Sequence, residues 1–379
     1  VMLTVTSSQA PVVLPTGEVM IPGAPQPAGP NDPPRQVLTD QSGRLMFRNL
    51  AAGRYSIRVT ASPYLPGTYG ASRVTAPPQT IEFTRDDEKR DGIVVKMWKG
   101  ATISGTVVDE AGEPVIGVSV RYIRRIVSGG RTRLTALAGN LTDDRGTYRI
   151  SGLTPGDYFV GIISSSTTIP ASTADAFMQA IYSGSSLTTS DLYREVSSSS
   201  ISLTAMMLGG GGGGYRVGDF VFQQSNYLGA SGANTAPAPG EDGRVLAYPS
   251  TFYPGVGTIA QATPITVASG DDRTRIGLQL KLLPSMRVSG VVMGPDGPVR
   301  NLGVRLLPVG ADDFTSDTQV EAASSVSDAN GVFTFLGITP GAYTLKVLRI
   351  PRPLPVAGAR GGSSMAEVTG PGGVVLGMI

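Results

Sequence analysis

Apolar and polar residues alternate along this chain in short runs, and Asp, Gly and Pro punctuate the runs. In Tyr148-Arg-Ile150, and again at Tyr158, Val160 and Ile162, every second position is apolar, the period of a half-buried strand. The stretch before the first run, Asp143-Asp-Arg-Gly146, reads as a tight turn. Asp opens it by accepting from the backbone ahead, and Gly supplies a positive φ at its exit. Pro155-Gly156 marks a second turn. The unit so defined is turn, strand, turn, strand.

The unit occurs three times without a gap. Asp40, Gly43, Leu45, Phe47, Leu50, Gly53 and Tyr55 stand where Asp143, Gly146, Tyr148, Ile150, Leu153, Gly156 and Tyr158 stand in the middle copy. Asp328, Gly331, Phe333, Phe335, Ile338, Gly341 and Tyr343 form the third. A second motif precedes two copies: Ile103-Ser-Gly105-Thr-Val107 with Asp109, Gly112 and Pro114, and Val288-Ser-Gly290-Val-Val292 with Asp296, Gly297 and Pro298. A closing motif follows two: Ile81-Glu-Phe83 with residues 93–97, and Ile265-Thr-Val267 with residues 276–280. Each repeat then holds about seven short strands, the pattern of an antiparallel β-sandwich. The expected fold is all-β, three tandem seven-stranded sandwiches of Ig-like or transthyretin-like type. The expected boundaries are 1–99, 100–283 and 284–379.

These motifs resemble the carboxypeptidase regulatory-like, or transthyretin-like (prealbumin-like), domain repeats of secreted bacterial proteins. The resemblance covers all three repeats, the middle one most fully. It implies the sandwich fold and, for tandem copies, a stalk, spacer or adhesive role. The similar B-type repeats of Gram-positive surface adhesins can carry a Lys–Asn cross-link from the opening strand. No Lys stands in residues 103–108 or 288–293, so that bond is not expected.

Three features depart from the plain repeat. First, the middle repeat is about 81 residues longer between Tyr158 and Ile265 than the first is between Tyr55 and Ile81. This insertion, about 163–262, should project from the sandwich and provide a lateral contact. Residues 174–182 have helical spacing, with Ser172 or Thr173 as cap and Phe177, Met178 and Ile181 on an apolar side that needs cover. Residues 191–196 suggest a second helix and 201–208 a strand. Gly209 to Gly214 lacks the Gly-Lys-Ser/Thr of a phosphate loop.

Second, the joints are short, without a Gly/Ser linker, so the repeats should stack as a semi-rigid rod. Trp98, at the first joint, is expected to pack between repeats. Third, repeat one starts at its second strand and carries a Pro-rich loop over 11–35. A slot beside residues 1–6 should then stand open to a donated strand. The donor could be residues upstream of Val1, as in a processed product or a fragment of a longer chain. It could be an internal piece at 12–14 or 19–21. It could be the tail, where Val374, Leu376 and Met378 alternate with Val375 and Ile379. That tail could equally close repeat three in its own chain.

Composition narrows the chemistry. Cys and His are both absent from the 379 residues, which removes disulfides, thiol chemistry and the Ser/His/Asp arrangement. The zinc-binding His residues of a carboxypeptidase catalytic domain cannot exist here. No nucleophile–base pair can be assembled, so no enzyme and no cofactor is expected. Paired acids such as Asp143-Asp144 and Asp271-Asp272 lack calcium-loop spacing and read as turns. The net charge of +2 is scattered, which argues against nucleic acid as the main partner, and no apolar run is long enough to span a membrane.

Two clusters invite a ligand. Arg121, Arg124 and Arg125, with Arg131 and Arg133, flank a Ser128-Gly129-Gly130 hairpin and could meet an anionic polysaccharide, surface lipid or extracellular DNA, or could form a solvated strand face paired with neighbouring acids. Phe252 and Tyr253 could stack on sugar, or could anchor a loop onto the sandwich. The expectation is a secreted or cell-surface bacterial structural protein that self-associates head to tail or joins neighbouring domains of a longer chain. The alternative is a carbohydrate-binding accessory segment of a secreted enzyme.

Overall fold

The computed structural model describes residues 2–7, 35–48, 50, 52–85, 88–137, 139–182, 215–225 and 245–347. It is nearly all β, with one α-helix, Ala171–Tyr182, and three short 3₁₀ turns. The expected second helix at 191–196, the strand at 201–208, the glycine run, the Pro-rich loop and the tail at 374–379 lie outside the described residues.

The turn motif folds the same way three times. Oδ1 of Asp40, Asp143 and Asp328 accepts the backbone amides two and four residues ahead, at 2.7–3.0 Å. Gly43, Gly146 and Gly331 return their own amides to the Asp carbonyl at 3.0 Å in each copy. Their φ values are 75°, 67° and 75°, which only glycine adopts without strain. Tyr55, Tyr158 and Tyr343 then sit in or begin the strands Gly53–Thr60, Gly156–Ile162 and Tyr343–Val347. The Tyr158 hydroxyl donates back to the Thr154 carbonyl at 2.7 Å, and that of Tyr343 to the Thr339 carbonyl at 2.9 Å.

One layer of each repeat has the same strand order. Met2–Ser7 lies between Arg35–Leu38 and Gly53–Thr60, Arg121–Ser128 between Arg131–Leu137 and Gly156–Ile162, and Gly303–Pro308 between Ala323–Val326 and Tyr343–Val347. All six pairings are antiparallel. The Arg hairpin turns through Gly129 and Gly130 with φ 58° and 74°, the two positive values that a tight two-residue hairpin needs.

The opposite layer differs between copies. In the middle repeat Ala101–Val108 is its central strand, antiparallel to Thr147–Leu153 and parallel to Asp272–Arg273 and Leu278–Gln279. In the third, Met286–Val291 pairs with Val332–Ile338. In the first, residues 44–48 and 93–97, within stretches expected as strands, form none. The motif's apolar positions are present, but the strand that would bond to both stretches is not among the described residues.

The open position therefore lies elsewhere than expected. Residues 2–7 are paired on both edges, so no slot stands beside them. The opening strand belongs to the other layer, between 44–50 and 93–97.

The insertion also departs from expectation. It does not simply project. Its first strand, Ser165–Pro170, pairs antiparallel with Phe220–Ser225 and parallel with Ala323–Val326 of the third repeat. With Tyr215–Val217 this makes a six-stranded sheet shared by the insertion and repeat three. The chain rejoins the middle sheet where Thr251–Phe252 pairs with Gly161 and Ile162. The helix starts at Ala171, three residues before the expected range, because the strand ends at Pro170 and the Ala171 amide bonds at once to the Asp219 carbonyl.

Candidate assembly surfaces

The middle core shows what a complete repeat buries. Ile103, Val107, Tyr148, Ile150, Tyr158, Val160, Leu278 and Leu280 form one cluster, each nearly inaccessible to solvent. The Tyr148 hydroxyl donates to the Ile276 carbonyl at 2.6 Å, joining the strands on either side of Ala101–Val108, and burial pushes its ionisation well above the ordinary range. Gly105 has no room for a side chain, since a Cβ there would stand 1.9 Å from the Ile276 carbonyl oxygen.

Repeat one is built to the same plan, and the described residues leave that side uncovered. Tyr55, Ile57, Val59 and Ile81 are buried, but Leu45, Phe47, Leu50, Val95 and Met97 around them are only half-buried. Their counterparts Tyr148, Ile150, Leu153, Leu278 and Leu280 are 1–3% exposed. A Cβ on Gly146 would meet the Val107 carbonyl at 2.5 Å and Pro114 at 3.1 Å, whereas none of the described residues lies within 4 Å of one on Gly43. Among the described residues, what repeat one lacks is thus a single strand with its following turn.

The joints account for several expected contact residues. Trp98 is half-buried, in a short strand that pairs with Tyr64–Leu65 of repeat one. Next to it the Ser269 hydroxyl donates to the Lys99 carbonyl at 2.9 Å, and Gly100 lies against Gly152 so closely that a Cβ would come within 2.8 Å of it. Between the second and third repeats, Arg121 donates to the Gln319 carbonyl at 3.4 Å and Arg133 to the Phe314 carbonyl at 3.2 Å. Arg124 donates to Thr154 at 3.4 Å, and Arg125 lies 5.4 Å over the Phe159 ring. These guanidiniums are engaged by the protein itself.

Phe252 is 5% exposed and packs with Phe159, Leu307 and Phe314. Tyr253 is partly buried against the middle core. The pair anchors the returning loop, and Phe252 also lines the cavity beside the shared sheet. The side chains of Phe177 and Ile181, and residues 374–379 with Val374, Leu376 and Met378, lie outside what the structure describes.

Contacts that sequence reasoning missed cluster at the shared sheet. Ser166 donates to the Leu336 carbonyl at 3.2 Å, and Thr168 accepts the Leu336 amide at 3.0 Å. Gln224 donates to Ser164 and to the Tyr248 carbonyl, both at 2.9 Å. Arg305, 2% exposed in Gly303–Pro308, is paired with Glu321. Beside them is a cavity of about 220 Å³ lined by Ser164, Gln224, Tyr248, Phe314 and Tyr343, with no charged side chain in its wall. Nothing there forms a nucleophile–base pair. The only sequence signal for this joint was Ser/Thr enrichment in a stretch already read as insertion.

No known protein family matches the chain, and no curated protein matches it. Solved structures that resemble it include a streptococcal ancillary pilin, 12% identical with a TM-score of 0.23, covering 80% of this chain and 68% of that one. The minor pilin of Streptococcus agalactiae is 12% identical at 0.24, covering 76% and 84%. The shaft pilin SpaA of Lactobacillus rhamnosus GG is 8% identical at 0.16, covering 67% and 89%. Likeness at these scores carries no argument, and the all-β architecture stands on the strands themselves. Among the described residues no helix is long and apolar enough to cross a membrane.

Proposed function

We propose that this chain is a non-enzymatic structural segment of a secreted or surface-exposed bacterial protein, a rod of three β-sandwich repeats that passes load and participates in a larger assembly. The observation that carries this reading is the way the joints are made. Polar groups that could serve a ligand are used to lock one repeat onto the next. The parallel pairing of residues 166–168 with 323–325 and the Arg121 and Arg133 bonds fix the second joint. The bond from the Ser269 hydroxyl of repeat two to the Lys99 carbonyl of repeat one ties the first. Such joints resist bending in a way that a flexible Gly/Ser linker does not.

The burial of Phe252 in the core speaks against the carbohydrate-binding reading, which relies on Phe252, Tyr253 and the insertion as its contact surface. Electron microscopy of the purified chain together with a glycan array tests the proposal. Elongated particles without specific glycan binding agree with it. Compact particles, or glycan binding lost on Tyr253→Ala, would overturn it.

A further inference from the structure

The uncovered side of repeat one has a definite geometry, and the complete repeat beside it gives the rules for filling it. The occupant must run antiparallel to 44–48, as Ala101–Val108 does to Thr147–Leu153, and parallel to 93–97, as it does to Leu278–Gln279. It needs apolar residues four apart on its inner face. Between them it needs glycine, since a Cβ on Gly105 would stand 1.9 Å from the Ile276 carbonyl oxygen and a Cβ on Gly290 would lie 2.6 Å from the Phe333 ring. The strand rule is therefore apolar–x–Gly–x–apolar. Ile103-Ser-Gly105-Thr-Val107 and Val288-Ser-Gly290-Val-Val292 satisfy it and are used by their own repeats.

The same pattern stands at Val375-Leu376-Gly377-Met378-Ile379. We infer that this segment of one molecule fills the slot of repeat one in a second copy. Gly377 sets the register: it takes the place of Gly105, opposite Leu45, with Val375 and Ile379 inward and Leu376 opposite Met46. The competing register, in which the tail closes repeat three of its own chain, turns Val374, Leu376 and Met378 inward. It leaves Gly377 where repeats one and two carry Lys96 and Gln279, positions that need no glycine. About 27 residues separate Tyr343–Val347 from the segment, enough to span up to about 90 Å when extended. Because donor and acceptor belong to different repeats, each contact leaves another pair open, and the product is a filament that does not close. Strand addition of this kind satisfies backbone groups along both stretches and covers the half-buried apolar residues.

The proposal rests on the reading of the chain as a structural segment, and the test separates the two. In a chain without Cys, Met46→Cys combined with Leu376→Cys places two sulfurs on directly opposed strand positions, within disulfide reach. Oxidation of the full chain should give a ladder of covalent oligomers beyond dimer, and neither single variant should pass dimer. By sedimentation, Gly377→Lys should abolish oligomers and Leu376→Lys should leave them. The reverse sensitivity would overturn the inference by placing the tail in its own repeat three. Oligomers insensitive to both substitutions would overturn it in favour of another strand, such as 12–14 or 19–21. A monomeric rod at all concentrations would overturn it while leaving the structural reading intact.

Discussion

The backbone amide of Leu336 donates to the hydroxyl of Thr168 at 3.0 Å, in a buried position that joins the insertion to the third repeat. Thr168 is 1% exposed, so no water can replace it. Thr168→Val keeps the shape and leaves that amide without an acceptor, which costs about 1–3 kcal/mol. Urea denaturation followed through the third repeat should show this loss. Unchanged stability would mean that the shared sheet does not form in solution.

Arg305 and Glu321 form the most deeply buried ion pair among the described residues. Removing only the acid strands a cation in the core. Glu321→Ala should therefore destabilise by about 3 kcal/mol or more, and the double change Arg305→Met, Glu321→Leu should recover most of the loss. Thermal unfolding of the three variants checks this. A double variant as unstable as Glu321→Ala would contradict it.

Gly43 and Gly146 adopt the same positive φ, so alanine imposes a similar backbone strain of about 1–2 kcal/mol at both. Only at Gly146 does the new Cβ also meet the Val107 carbonyl and Pro114. Gly146→Ala should thus be clearly more destabilising than Gly43→Ala. Equal losses would show that Gly43 is as closely covered as Gly146.

The turn aspartates make stability fall in acid. Hydrogen bonds hold both carboxyls below the ordinary range, that of Asp40 chiefly from the Ser42 hydroxyl and the Arg44 amide, that of Asp143 chiefly from the Thr147 amide. A carboxyl with a lowered folded pKa stabilises above its unfolded pKa of about 3.9 and loses that contribution as pH falls through the folded value. Denaturation midpoints should be flat from neutral pH to about 5 and drop below about 4, and Asp143→Asn should shallow the drop. A variant whose acid profile matches the parent would remove Asp143 from this account.

The repeats were legible because each turn is local. Asp and Gly three residues apart fix the bend, and the alternation after it fixes which face is buried. Residues 44–48 and 93–97 of repeat one form no strand, since a strand also needs a partner and none stands beside them among the described residues. The destination of the insertion was not legible at all. Ser166, Thr167 and Thr168 pair with Ala323, Ser324 and Ser325 across more than 150 residues, and neither stretch has the apolar alternation that marks a buried strand. The sequence leaves open whether Phe252 stacks on a ligand or anchors a loop, and its burial with Leu307 and Phe314, from another repeat, makes it an anchor.

Hydrogen exchange at residues 44–48, compared with 147–151, tests the open strand position most directly. In the dispersed protein the first stretch should exchange about a hundredfold or more faster than the second, and it should become protected when the protein assembles. Equal protection of both stretches in the dispersed monomer would show the position already filled within the chain and would contradict the account.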